Sequence, residues 1–210
     1  MEKLIIGSRG SKLALKYAEI AKKAFLKELD TEIEIKKITT DGDLVLDRRT
    51  SEIGGKGEFI KNIEKELVSK NIDLAVHSLK DVPSVKTKGL RMECFLKRND
   101  PQEVLINKEN LTLDKIKKNS VIGTSSLRRE FQLKHLRPDL NFKLIRGNID
   151  TRIKKLDENQ YDSIVLAKAG LLSLSLENRI SEVFECEKIV PPAGQGTIVL
   201  QSRDDNDKIN

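Results

Sequence analysis

Apolar residues along this chain follow two alternating patterns. Short runs of buried-strand length are separated by stretches where apolar positions return at helical spacing. Leu4 to Ser8 reads as a strand, and Gly7-Ser8-Arg9-Gly10-Ser11 breaks it. From Lys12 to Leu29 the residues Leu13, Tyr17, Ile20, Ala21, Ala24 and Phe25 share one helix face, and Ser11 stands where a cap belongs. Glu32 to Thr39 alternates as a strand, and Asp41-Gly42-Asp43 turns the chain. Gly54-Gly55-Lys56-Gly57 is too flexible for a regular element and lacks the flanking residues of a phosphate-binding P-loop. Glu58 to Ser69 returns to helical spacing through Phe59, Ile60, Ile63 and Leu67. Leu90 to Phe95 reads as a strand.

The stretch Ile72 to Pro83 joins an apolar run, Leu74 to Val76, to a polar half that ends in a proline. His77, Ser78, Lys80 and Asp81 therefore crowd the carboxyl end of a predicted strand, where open α/β sheets bind ligands. Taken alone, the stretch also fits a strand followed by a plain turn, with His77 satisfied in the core.

The second half repeats the opening. Val104 to Ile106 is a short strand, and Leu111 to Lys118 a short helix. Ser120-Val121-Ile122-Gly123-Thr124-Ser125 parallels Leu4-Ile5-Ile6-Gly7-Ser8-Arg9, and a helix follows each. Each turn has backbone N–H groups and a helix dipole pointed at it, which suits an anion. Phe142 to Ile145, Ser163 to Ala167 and Gly196 to Gln201 read as strands, and Lys188 to Val190 as extended chain. Helices are expected around Thr151 to Leu156 and Ala169 to Leu174. This alternation predicts α/β architecture with parallel, doubly wound sheets in two lobes. Candidate crossings near 96–100 and 191–196 place domain 2, residues 97–195, as an insert in domain 1, residues 1–96 and 196–210. A ligand is expected between lobes joined in this way.

At 210 residues the chain suffices for such a pair of domains. Apolar content of 38% and charged content of 34% are those of a soluble protein, and no apolar run is long enough to cross a membrane. The start, Met1-Glu2-Lys3 and then a strand, predicts no secretory leader and a cytoplasmic location. Cys94 and Cys186 match no metal spacing and are expected to be reduced and mostly buried. The net charge of +6 sits on 39 basic and 33 acidic residues. With aromatics at 4% and no Trp, a stacking platform for nucleic acid is disfavoured, and an anionic small molecule fits the arginines better.

Several of these stretches occur together, in this order, in one family. Gly7-Ser8-Arg9-x-Ser11, Gly54-Gly55-Lys56-Gly57, Val76 to Pro83, Gly123 to Arg129, Arg146-Gly147-Asn148-x-x-Thr151-Arg152 and Gly194-Gln195-Gly196 resemble the motifs of porphobilinogen deaminase (hydroxymethylbilane synthase). The resemblance covers essentially the whole chain. It implies two lobes like those of type 2 periplasmic binding proteins. It also implies stepwise condensation of four porphobilinogen molecules into hydroxymethylbilane, with release of ammonia, on a dipyrromethane cofactor held by a cysteine thioether. Growing pyrrole chains carry many carboxylates. Arg9, Lys56, Lys80, Arg128, Arg129, Arg146 and Arg152 would bind them, helped by Ser11, Ser78, Thr124, Ser125, Ser126 and Gln195. Asp81 matches the family's catalytic carboxylate, which holds pyrrole N–H groups and opposes positive charge as ammonia departs. The expected partners are porphobilinogen and polypyrrole chains bound to a monomer, without nucleic acid, membrane or metal.

Departures from the family pattern qualify this expectation. The family's third domain, with its Gly-Gly-Cys anchor for the cofactor, has no counterpart here, and neither Cys94 nor Cys186 lies in such a segment. A separate third-domain polypeptide is one expectation. A non-catalytic two-lobed module that binds a small anion or pyrrole is the alternative. Ser173 and Gln102 stand where arginines are frequent, Glu52 where lysine is common, and Lys12 where proline is frequent.

Overall fold

A computed structural model describes residues 3–28, 30–40, 57, 59–206 and 209. Backbone packing divides the chain into two units that exchange at Asn99/Asp100 and again at Gly196/Thr197. Unit 1 thus takes both ends of the chain, and unit 2 is an insert running from Asp100 to Gly196.

Unit 1 contains β1 (Leu4–Arg9), α1 (Lys12–Phe25), β2 (Ile33–Ile38), α2 (Lys61–Val68), β3 (Leu74–Ser78), β4 (Leu90–Phe95) and, from the end of the chain, β10 (Ile198–Arg203). Unit 2 contains β5 (Glu103–Asn107), β6 (Val121–Gly123), α3 (Leu127–Leu136), β7 (Asn141–Lys143), α4 (Ile149–Asp157), β8 (Ser163–Ala167), α5 (Lys168–Ser173) and β9 (Glu182–Phe184). The sheet of unit 1 runs β2-β1-β3-β10-β4, and that of unit 2 runs β7-β6-β8-β5-β9. The two orders are the same pattern. A central strand (β1 or β6) has parallel neighbours on both sides, and an antiparallel strand (β10 or β5) follows. The sheets, expected to be parallel, are mixed. The crossing chain enters each sheet from the opposite end, so β10 and β5 can only run against their neighbours.

Burial on both faces explains the continuous apolar runs. In unit 2, Val104, Ile106, Ile164 and Leu166 pack with Ile153 and Leu156 of α4, while Leu105 and Val165 pack with Leu133 of α3. In unit 1, Ile6, Leu74 and Val76 meet Tyr17, Ala18 and Ala21 of α1, and Ala75 meets Ile63 and Leu67 of α2. The repeat extends to details the sequence pattern did not suggest. Asp73, just before β3, accepts the N–H of Ile5 at 2.8 Å; Asp162, just before β8, accepts that of Val121 at 2.6 Å. Glycine recurs as well, because helix-side packing leaves no room for a Cβ. One on Gly7 would lie 2.3 Å from Ile72, and one on Gly123 would lie 2.9 Å from the Tyr161 ring.

Other expectations shift. Leu111 to Lys118 forms a single 3-10 turn at Leu113–Lys115 rather than a helix. Lys188 to Val190 is not extended: the N–H groups of Lys188 and Ile189 both close onto the carbonyl of Glu185. The strand there is β9, six residues earlier, paired with β5. Cys94 is exposed and Cys186 intermediate, against the expectation of buried thiols. Cys94 lies on β4, which is an edge strand of its sheet among the described residues. No helix among the described residues is long and apolar enough to cross a membrane.

Candidate functional site

In unit 1 the sequence-predicted residues gather at the carboxyl ends of adjacent parallel strands. Arg9 ends β1 and Ser78 ends β3. A single 3-10 turn, Leu79–Asp81, follows and carries Lys80 and Asp81. That turn is held at both ends: Leu79 N–H reaches Thr197 O at 3.0 Å, and Val82 N–H reaches Leu79 O at 3.1 Å. Pro83 then ends it. The Arg9 guanidinium lies 4.2 Å from the centroid of the Phe59 ring, a cation–π contact that fixes its plane. Ser11 caps α1 by accepting Ala14 N–H at 3.3 Å. Its first task is thus local, and it defines where the helix N-terminus opens.

A polar chain runs from the buried His77 and Gln201 to the partly exposed Glu64. Glu64 can only accept, so the Gln201 amide turns its NH₂ to Glu64 Oε1 at 2.7 Å. The Gln201 carbonyl oxygen is left for His77 Nε2 at 2.9 Å, which assigns the ring proton to Nε2. Thr87 donates to the other Glu64 oxygen at 2.8 Å. His77 is therefore the satisfied core histidine that one reading of the strand allowed. Burial pushes its pKa below the ordinary 6.5, against the hydrogen bond it donates to Gln201 and the charges of Glu64 and Asp81, with Arg9 adding to the depression. Because the unfolded chain takes up the proton first, the His77 contribution to stability is complete above pH 6.5 and declines as pH falls below it. Chemical denaturation of His77→Asn should accordingly show a shallower loss of stability between pH 7 and pH 5 than the parent, by up to about 1.4 kcal/mol per pH unit. Parallel pH profiles would contradict this.

In unit 2 the matching turn follows β6. Thr124 is buried and its hydroxyl accepts Ser126 N–H at 3.1 Å. Ser126 caps α3 through Arg129 N–H at 3.4 Å, with Ser125 partly buried beside it. The two arginines of α3 were expected to bind ligand together, and the structure separates them. Arg129 is buried, with NH1 on Val165 O at 2.9 Å and NH2 on Glu103 Oε2 at 2.7 Å. Arg128 reaches the other Glu103 oxygen and the carbonyl of Val190 while staying partly exposed. Glu103 is completely buried. Burial lowers the Arg128 pKa, and the Arg129 charge adds to this, while Glu103 opposes both. Removing one member of such a buried set generally costs about 3–5 kcal/mol. Arg129 thus serves as an internal tie between α3, β8 and Glu103.

The remaining predicted residues also prove local in part. Arg152 on α4 donates to Gly147 O at 2.8 Å, and Arg146 is buried, its carbonyl taken by Lys155 at 3.2 Å. Asn148 begins α4 without a side-chain cap bond. Gln195 is buried and donates to Pro101 O at 2.6 Å, bracketing the ends of unit 2 against each other. Ser173 is buried too, and its hydroxyl bonds back to Ala169 O at 2.7 Å. Lys56 lies outside the described residues, as do Glu52, Gly54 and Gly55. Sequence reasoning missed Glu103, Glu64 and Gln201.

No group of metal-ligating side chains occurs among the described residues. What the turns offer instead are hydroxyls, backbone N–H groups and cations, a donor set for carboxylates. That set fits the acid side chains of a dipyrrole. Of the described thiols, Cys94 fits a thioether anchor less well: although the residue is exposed, partial desolvation of its sulfur pushes the pKa up, which disfavours the nucleophilic thiolate.

Comparison with solved structures defines the class of fold. The chain resembles an ancestral cationic amino acid solute binding protein (TM-score 0.56, 16% identity, 99% of this chain and 84% of that one). It also resembles the sulfate-bound regulatory domain of an OxyR2 variant from Vibrio vulnificus (TM-score 0.56, 12% identity, 100% and 90%). The fold is thus that of two-lobed binding proteins. Sequence goes further. The family model described as "Porphobilinogen deaminase, dipyromethane cofactor binding domain" matches residues 4–210. Porphobilinogen deaminase of Oceanobacillus iheyensis is 46% identical across 100% of this chain and 68% of that protein. Those of Bacillus thuringiensis and Chlorobium phaeovibrioides are each 45% identical, across 98% and 99% of this chain and 67% and 66% of theirs. The chain belongs to the porphobilinogen deaminase family.

Proposed function

We propose that this chain acts in the condensation of porphobilinogen into hydroxymethylbilane, as a transferase that releases ammonia at each step. One observation carries the reading. The held turn Leu79–Asp81 puts a carboxylate and an ammonium side by side at the carboxyl end of β3, with Arg9 at the end of the neighbouring strand. Porphobilinogen combines the features such a turn would read: acid side chains for the cations and a ring N–H for the carboxylate.

Asp81 accepts the pyrrole N–H and opposes the positive charge that grows as ammonia leaves. Lys80, Arg9, Ser11 and Ser78 take acetate and propionate groups. In unit 2, Arg128, Ser125, Arg146 and Arg152 bind further acid groups, and Thr124 and Ser126 shape the turn. Lys56 and Gln195 complete the expected set. The dipyrromethane supplies the growing end to which pyrroles are added. The residues named here orient incoming acid groups and stabilise charge, whichever polypeptide carries the thioether.

Mass spectrometry of the purified protein, before and after porphobilinogen, tests this. With a cofactor-bearing third domain supplied in trans, the expected result is a dipyrromethane increment on the polypeptide that carries the anchoring cysteine, then stepwise pyrrole increments, accompanied by ammonia release. An unmodified mass with saturable porphobilinogen binding and no ammonia would move the assignment to a non-catalytic pyrrole-binding module.

A further inference from the structure

Arg128 and Arg129 are neighbours of the same chemistry in different surroundings. The Arg129 side chain is 9% exposed and fixed on two sides, by a carbonyl of β8 and by Glu103. The Arg128 side chain is 27% exposed and touches Glu103 through one nitrogen. Glu103 is 0% exposed, at the first residue of β5, and gives one oxygen to each guanidinium.

We propose that Glu103 is a positioning residue that assigns these two arginines different tasks: Arg129 ties α3 to the sheet, and Arg128 is the arm that meets a ligand carboxylate. This rests on the reading of the unit 2 turn as a site for pyrrole acid groups. A carboxylate with each oxygen on a separate guanidinium cannot release both without being stranded in the core, which is strongly unfavourable. Only one arginine can therefore exchange Glu103 for a ligand, and the more exposed one does so. Two guanidinium groups against the one Glu103 carboxylate leave a positive charge on the pair at the start of α3, where Glu130 of the same turn is met by Lys134. That charge adds to the helix dipole, beside the hydroxyls of Ser125 and Ser126.

Two possible roles of Glu103 predict opposite signs. If Glu103 only neutralised charge, removing its carboxylate would make the turn more positive and tighten anion binding. If it positions Arg128, removing it releases the arm and weakens binding. The experiment titrates porphobilinogen into the parent protein, Glu103→Gln and Glu103→Asp. Affinity is read by calorimetry, and the Nε–Hε resonances of Arg128 and Arg129 by NMR. In the parent, porphobilinogen should shift Arg128 and leave Arg129 in place. Glu103→Gln should bind roughly 10- to 100-fold more weakly, the scale of a group displaced by about one ångström. Glu103→Asp keeps the charge one methylene short and should recover part of that loss.

Equal or tighter binding by folded Glu103→Gln, or equal shifts of both arginines in the parent, overturns the proposal. Should Glu103→Gln fail to fold, Glu103→Asp decides: weaker binding with Arg129 unmoved supports it, and unchanged binding overturns it. If neither arginine responds in the parent, the functional reading fails and takes the proposal with it. An Arg128 response that persists at full affinity without the Glu103 carboxylate removes the proposal alone.

Discussion

Asp81→Asn is expected to slow turnover by roughly 10²–10³ while leaving porphobilinogen affinity within a few-fold, the scale for losing one preorganised electrostatic group. The turn that carries Asp81 is closed by backbone bonds at Leu79 and Val82, so the substituted side chain should keep its place. Asparagine retains the size and one acceptor oxygen, and so can still meet a pyrrole N–H. What it lacks is charge to set against the cation that develops as ammonia leaves. The loss should therefore fall on kcat rather than KM. Asp81→Glu separates charge from position: it restores the charge one methylene away, and partial recovery would mean that charge is the larger part. The measurements are ammonia release and bilane formation by the full-length holo protein, alongside calorimetric binding. Equal kcat for parent and Asp81→Asn would remove Asp81 from the mechanism.

The motif residues at strand ends were legible because their positions follow from periodicity. An apolar run that stops in Ser78-Leu79-Lys80-Asp81 before Pro83 has to end at a sheet edge. The repeat was legible for the same reason, since Gly7 and Gly123 occupy equivalent places on β1 and β6. What could not be read was which polar side chains face inward. Glu103 looks like the polar flank of Val104 to Ile106, yet strand alternation puts it on the face of Leu105, against α3. A doublet of arginines four and five residues before the core residue Leu133 was the available signal that something acidic lay beneath them. By the same alternation His77 shares the Ala75 face, which is packed by α2 and carries Glu64 to it. β9 was missed because Glu182-Val183-Phe184 is too short to show a period. Only its pairing with β5 makes it a strand.

Gly147→Ala should be the most damaging small substitution in unit 2. Gly147 has φ +108, a conformation that side-chain-bearing residues rarely adopt. An added Cβ would also lie 2.7 Å from Thr151 Cγ2 and 2.9 Å from its Cβ, on the first turns of α4. Backbone strain and overpacking together should cost about 2–5 kcal/mol, or roughly 5–15 °C in the melting of a chain of this size. The loop cannot swing away without loss, because the Gly147 carbonyl holds Arg152 Nε at 2.8 Å and the Arg146 carbonyl holds Lys155. Relief of strain would therefore move two of the proposed ligand-binding arginines, and porphobilinogen affinity should fall together with stability. Adding Thr151→Ser removes the Cγ2 contact and leaves the backbone conformation as it was. The double variant should regain the share of stability that belongs to the Cγ2 contact and stay below the parent by the share that belongs to φ and to the remaining Cβ contact at 2.9 Å. Thermal denaturation and porphobilinogen titration of parent, single and double variants separate the two shares. A melting temperature for Gly147→Ala within a degree of the parent would mean that this loop accepts a side chain, and that its glycine does not set the arrangement of Arg146 and Arg152.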